Sequence, residues 1–163
     1  EIVDADAPDL LTMRSDESVM RFLDRPRATG IEDAATLIKR MRDDLALRSG
    51  ITWGVSLKDQ GLLIGTIGFW RIMPEHFRAE IGYLLHADYH AKGLMHEAMK
   101  PVLDYGFATM GLHSVEANVN PSNVASIRLL EKNGFTREAY FRENYFYNGR
   151  FIDSAIYSLL AGS

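Results

Sequence analysis

Residues 89–99 read YHAKGLMHEAM, and the stretch that leads into them, residues 79–85, reads AEIGYLL. The leading stretch is a short run of apolar and aromatic residues, the pattern of a buried strand. The following one passes through Gly93 into a segment whose apolar residues Met95, Ala98, Met99, Val102 and Leu103 recur at helical spacing. A strand, a short loop and a helix start leave backbone N–H groups without intrahelical partners, and the helix dipole favours an anion in front of them. His90, Ala91, Lys92, Gly93, Leu94 and Met95 are the residues that carry those donors. Gly93 lets the backbone approach a ligand with no side chain in the way. A pyrophosphate suits this arrangement; a turn that only packs is the alternative.

Working outward, Glu1-Ile2-Val3 reads as the tail of a first strand. Asp6-Ala-Pro-Asp9 offers a cap and an early proline to a short helix with Leu10, Leu11 and Met13. Thr29-Gly-Ile-Glu32 matches a capping box, and Ala34, Leu37, Ile38, Met41 and Leu45 share one helical face until Ser49-Gly50. Residues 51–57 and 62–72 predict an antiparallel hairpin across the 58–61 turn, and residues 78–85 the strand that feeds the glycine loop. Pro101 removes one backbone bond from the helix that follows and predicts a kink, while Gly111 is a suitable stop. Residues 115–119 form a short strand, 121–133 a helix closed by Gly134, and 135–146 with 150–160 a final hairpin across Asn148-Gly149. The order β-α-α-β-β-β-α-β-α-β-β predicts an α/β fold with a mixed sheet covered by helices on both faces.

The chain has 163 residues, of which 47% are hydrophobic and 25% charged, enough for one domain over 1–163 with a core of its own. With no cysteine there is no disulfide framework, thiolate nucleophile or cysteine metal site, and a cytoplasmic home is expected. No apolar run of membrane-spanning length and no signal peptide are legible, so no membrane partner is expected. A net charge of -4 disfavours non-specific nucleic-acid binding and is compatible with an amine-bearing substrate. No metal-ligand spacing appears.

Further along, Asn118-Val-Asn-Pro-Ser-Asn-Val-Ala-Ser126, Leu130-Glu-Lys-Asn-Gly-Phe135 and the late NGRFIDSAIYSLL join AEIGYLL and YHAKGLMHEA. Together, from about Asp16 to Leu160, they resemble the GNAT family of acyl-CoA-dependent N-acetyltransferases, and more narrowly its ribosomal-protein N-acetyltransferase branch. The resemblance implies two central strands that splay apart to admit acetyl-CoA. It places His90 to Met95 on the family's pyrophosphate loop, where His90 and Met95 depart from the usual Arg or Gln and Gly or Ala. Backbone donors carry most of that recognition, and His90 can still offer one. Tyr83, Leu84 and Leu85 fall where the family pairs strand backbone with the pantetheine arm; as plain residues they are also good core.

Asn118 and Asn123 fall across the splay from Gly93, although Asn120 or Asn123 can equally be a helix cap. In that branch, the serine matching Ser126 is proposed to protonate the departing thiolate. The alternatives are a hydroxyl bonded to its own helix, or a bound water as the acid. Many members place a tyrosine four residues on, where this chain has Leu130, so a tyrosine acid at that position is excluded. Glu80, two residues before Gly82 and among Trp70, Ile81 and Tyr83, is the candidate general base, and an ion pair with Arg78 or Arg71 is its alternative role. His76 and His113 are weaker candidates for the base. Phe22 and Arg25-Pro26-Arg27 either wall the acceptor site or form a solvated loop.

The expected reaction is direct transfer of acetyl from acetyl-CoA to a primary amine, a protein N-terminus in the first instance. A small amine such as a polyamine, an amino acid or an antibiotic is the second acceptor class, and a non-catalytic CoA-binding sensor is the third reading. Phe141, Tyr145 and Phe146 on the last hairpin suit the interface of a homodimer.

Overall fold

A computed structural model describes residues 1–58 and 60–163, so Asp59 of the expected 58–61 turn lies outside the described residues. The strand-forming runs become β1 (Ile51–Ser56), β2 (Leu63–Met73), β3 (Arg78–Leu85), β4 (Ser114–Val119), β5 (Thr136–Tyr147) and β6 (Arg150–Leu160). They form one mixed sheet in the order β1-β2-β3-β4-β6-β5. Around it lie α1 (Ala7–Ser15), α2 (Glu17–Met20), α3 (Ile31–Ala46), α4 (Leu94–Asp104) and α5 (Val124–Lys132).

Side chains alternate along β3, and a register shift between the Val55–Gly65 and Ser56–Leu63 pairs turns the start of β2 over, so one sequence feeds two cores. Ile67, Phe69 and Ile81 face α4 and α5, burying with Met99, Val115 and Leu130; Leu63 and Leu84 face the other way, against Leu10, Met13 and Ile38 of α1 and α3. His96 and Asn133 hydrogen-bond at 3.0 Å and tie α4 to α5. β2 is threaded so closely between its neighbours that a Cβ on Gly68 would stand 2.0 Å from the Ile51 carbonyl oxygen. Backbone cannot yield as a side chain does, so Gly68→Ala is expected to cost on the order of 3 kcal/mol and lower the melting temperature by roughly 6–12 °C. A thermal melt checks it, and an unchanged transition would mean that β1 can move away freely.

The expected strand at Glu1-Ile2-Val3 is absent. The Val3 N–H donates to Asp6 Oδ2 at 2.8 Å and the Asp6 N–H to the Val3 carbonyl at 2.9 Å, so the segment closes into a 3-10 turn over Asp4–Asp6. A local carboxylate satisfies the donor that a strand would have needed a neighbour for. Unforeseen α2 starts because the Asp16 carboxylate accepts the Ser18 and Val19 N–H groups. Ahead of α3 the N-cap is Gly30, with no side chain to cap the helix, and the Thr29 hydroxyl and N–H meet Asp33, not Glu32, so the expected capping box does not form. Leu45 is 46% exposed, because the apolar cluster of α1 and α3 does not reach it.

The helix expected over 121–133 begins only at Val124. Asn120 Oδ1 accepts the Ser122 N–H and puts Pro121 in a turn, and Asn123 then caps α5. At Pro101, α4 continues as anticipated and runs into a π-type turn over Tyr105–Thr109, closed by the Met110 N–H on the Tyr105 carbonyl at 3.0 Å. Among the described residues, no helix is long and apolar enough to cross a membrane.

What positions the site is the β3–β4 contact. These strands pair in parallel only at Arg78–Ser114, Ala79–Val115 and Glu80–Glu116, although both run on for several residues. Beyond Glu80 and Glu116 the ladder stops and the sheet opens.

Candidate active site

Past the end of β3 the chain makes the glycine turn. Ala91 and Gly93 both have left-handed backbones, at φ 59 and φ 78, and a chain that alternates in this way makes a concave nest of N–H groups. The first N–H to find an acceptor inside the helix is that of Glu97, on the Gly93 carbonyl at 3.0 Å. Those of Leu94 and Met95 therefore point forward. A Cβ on Gly93 would meet nothing within 4 Å, so the space in front of the turn is free. The expected His90 donor is directed elsewhere: Nε2 lies 2.8 Å from the Leu85 carbonyl and fastens the loop to the end of β3. Lys92 lies with its ammonium 5.3 Å from the Tyr89 ring centre.

The cleft itself is lined by the start of α5. Asn123 Oδ1 accepts the Ser126 N–H at 3.2 Å, so Asn123 is a helix cap, as its alternative role required, and the cap presents Ser126. Asn118 is exposed on β4 at the lip of the cleft. The Ser126 hydroxyl is not bonded to its own helix; its partner is the Tyr83 hydroxyl at 2.6 Å. Burial pushes the Tyr83 phenol up to about 12, against the opposing pull of that hydrogen bond, so it keeps its proton at neutral pH. Leu130 is fully buried. A phenol nonetheless arrives at Ser126, from β3.

The other face of β3 presents Glu80, only 6% exposed. Burial pushes its carboxyl above the usual carboxylate range, Arg71 pulls it down, and Glu116 adds to the rise. Trp70, cross-strand from Glu80, biases it downward more weakly; its indole Nε1 is buried but not aligned for a hydrogen bond. Of the two partners considered, Arg71 is the one that pairs, at 2.9 Å, while Arg78 pairs with Glu116. A bulge between Trp70 and Met73 brings Arg71 round at φ 44.

Glu80 and the Tyr83–Ser126 pair lie on opposite faces of β3 and communicate only because the sheet opens between them. The cleft that results has a volume of about 370 Å³. Phe22 and Arg25 do line it, whereas Arg27 points to Glu17. His76 and His113 are not among its lining residues. Sequence reasoning missed the Tyr83 hydroxyl as a polar group, and also Arg14 of the lining; a basic residue on an otherwise apolar helix face was the available signal for Arg14. Among the described residues, no three His, Asp or Glu side chains gather as metal ligands.

Residues 1–136 match the family described as acetyltransferase (GNAT) domain. The uncharacterized N-acetyltransferase YoaA of Bacillus subtilis is 35% identical over 98% of this chain and 90% of its own length. The [Ribosomal protein uS5]-alanine N-acetyltransferase of Escherichia coli is 30% identical over 68% of this chain and 58% of its own. In structure, the spermidine N-acetyltransferase of Vibrio cholerae, solved with CoA and spermine, superimposes with a TM-score of 0.84 over 98% of this chain and 92% of its own; at 21% identity, that likeness speaks for the fold alone. With its splayed mixed sheet and nested glycine turn, and with most of its length matched, this chain belongs to the GNAT family of N-acetyltransferases, enzymes that transfer an acetyl group to an amine.

Proposed function

We propose that acetyl-CoA enters the cleft from the Gly93 side and that its acetyl group passes directly to a primary amine arriving from the Glu80 side. The observation that carries this reading is the end of β3–β4 pairing after Glu80, which opens the sheet beside a buried carboxylate, on the strand that runs on toward the nest of N–H donors. Ala91 to Met95 would hold the pyrophosphate, and the space a Cβ on Gly93 would fill is the room a phosphate needs. The edge of β3 over Tyr83, Leu84 and Leu85 that β4 leaves unpaired would pair with the pantetheine arm as an added strand, ending at the Leu85 carbonyl that His90 holds. When bound, acetyl-CoA supplies an activated acyl group and a thiolate leaving group.

The chain's own residues move the protons. Glu80 takes a proton from the incoming ammonium, directly or through water, since only the neutral amine attacks. Ser126, backed by the Tyr83 phenol, delivers a proton toward the departing sulfur. The acceptor proposed first is a protein N-terminus, with a small amine second. Exposed Phe141, Tyr145 and Phe146 support a homodimer across the last hairpin. CoA release measured against N-terminal peptides beside small amines tests the reading, and no release with any amine would leave a CoA-binding sensor.

Glu80→Gln separates the base from the ion pair. A buried base loses its function as pH falls through its raised pKa, whereas at high pH the free amine needs no help. The turnover deficit should therefore be greatest between the raised pKa of Glu80 and the amine's own pKa, by about 10²-fold or more, and shrink on either side of that window. Stability should move the other way. The folded-state pKa lies above the unfolded one, so ionised Glu80 opposes folding as pH rises through it, and removing the charge should leave the pH 7 melting temperature equal or higher. An unchanged pH profile, or a lower melting temperature with normal turnover, would reduce Glu80 to the partner of Arg71.

A further inference from the structure

We infer that the acceptor half of the cleft recognises an anion, so that the preferred acceptor is an amine carrying a carboxylate, an amino acid or a peptide with an acidic group, and not a polyamine. The inference rests on the acetyl-transfer reading above. Three arginines line this half: Arg14 from α1, Arg25 from the loop between α2 and α3, and Arg71 from the β2 bulge. Arg71 is engaged by Glu80. Arg14 and Arg25 have no carboxylate within ion-pair distance among the described residues. Arg14 is half-buried and lies within range of the Arg25 charge. The Arg25 guanidinium sits 4.5 Å over the Trp70 ring, which holds its planar fork in place while its outer side stays open to solvent.

Two neighbouring like charges, one of them partly desolvated, are unfavourable unless an anion joins them, and a guanidinium fork matches a carboxylate with two parallel hydrogen bonds. The other carboxylates of the cleft do not pair with them either. Asp153 accepts the Tyr140 hydroxyl and the Glu143 N–H. Asp24 lines the cleft with no ion pair among the described residues, its carboxyl pushed up by burial against the opposing pull of Arg150. An acceptor whose amine reaches toward Glu80 therefore finds positive charge further out. A polyamine would bring a second ammonium up against Arg14 and Arg25.

The test compares kcat/KM for matched acceptors: an amino acid and its carboxamide, N-terminal peptides with an acidic or neutral second residue, and spermidine. The carboxylate of a pair should be favoured about 10–100-fold. The amino acid pair and the peptide pair separate a free carboxylate from a side-chain one. Arg25→Gln should bring the ratio toward one by slowing the carboxylate substrate alone, and Arg25→Lys should restore part of it. Binding is read independently from Trp70 emission, against Trp70→Phe, during titration with an N-acetyl amino acid or its amide. A saturable change with the acid only is expected. Equal use of acid, amide and spermidine, or an Arg25→Gln loss shared by every acceptor, would overturn the inference and leave Arg25 a packing partner of Trp70. Absence of CoA release with a carboxylate-dependent emission change would remove the transfer reading and keep the anion site; release with neither preference nor emission change would do the reverse.

Discussion

Gly93→Val is expected to leave a folded protein whose affinity for CoA has fallen at least about 10²-fold, the loss of one or two charge-assisted hydrogen bonds to phosphate. The first ångströms in front of Gly93 are empty of protein, so the new side chain meets no wall and instead occupies the approach to the N–H nest. A second effect must be separated from this obstruction. At φ 78 a β-branched residue is strained by roughly 1–2 kcal/mol, which would lower stability wherever it occurred. Gly111 supplies the control: it is also left-handed, at φ 68, also has nothing within 4 Å of a built Cβ, and follows the far end of the helical run that Gly93 starts. Gly111→Val should show a similar drop in melting temperature with unchanged CoA affinity by calorimetry. Equal affinity in both folded variants would place the pyrophosphate elsewhere.

What could be read in the sequence is what a single element decides. Gly93 after a strand and before a helix, Asn123 three residues ahead of Ser126, and Glu80 on an apolar strand all depend on near neighbours, and the structure keeps each in that relation. The Tyr83–Ser126 bond spans 43 residues and exists because β3 and β4 part, a property of pairing that no local pattern carries. At position 130 the chain has a buried leucine where a phenol was sought, and the phenol comes from a different strand. Arg71 reaches Glu80 through a left-handed residue in a bulge, and nothing in LIGTIGFWRIM marks where that bulge falls. The misread first strand fails for the opposite reason. Three residues with two apolar ones fit a strand or a turn, and Asp6, three positions on, decides it by capping Val3.

The Tyr83–Ser126 pair yields a prediction in which three outcomes carry different mechanisms. Charge reaches the thioester sulfur only as the thiolate departs, so a hydroxyl aimed there acts mainly in the transition state. Ser126→Ala should therefore cut kcat on the order of 10–10³-fold with the KM values little changed. Tyr83→Phe keeps the Ser126 hydroxyl but removes its partner. If the phenol is the proton reservoir behind the serine, Tyr83→Phe should lose about as much as Ser126→Ala, and the double variant little more than either, because the two act as one unit. If water resupplies Ser126 instead, Tyr83→Phe should be nearly silent in turnover. Stability gives little signal in either case, since phenylalanine keeps the ring and water from the cleft can replace the lost bond, a change within about 1 kcal/mol. The pH profile adds a sign. A phenol raised to about 12 stays protonated through the whole accessible range, so the wild type should show no alkaline fall in kcat from this group below about pH 10. An alkaline limb that disappears in Tyr83→Phe would mean that the phenol ionises where the structure keeps it neutral. Wild-type turnover in both single variants, with unaltered melting temperatures, would leave the thiolate to be protonated by water.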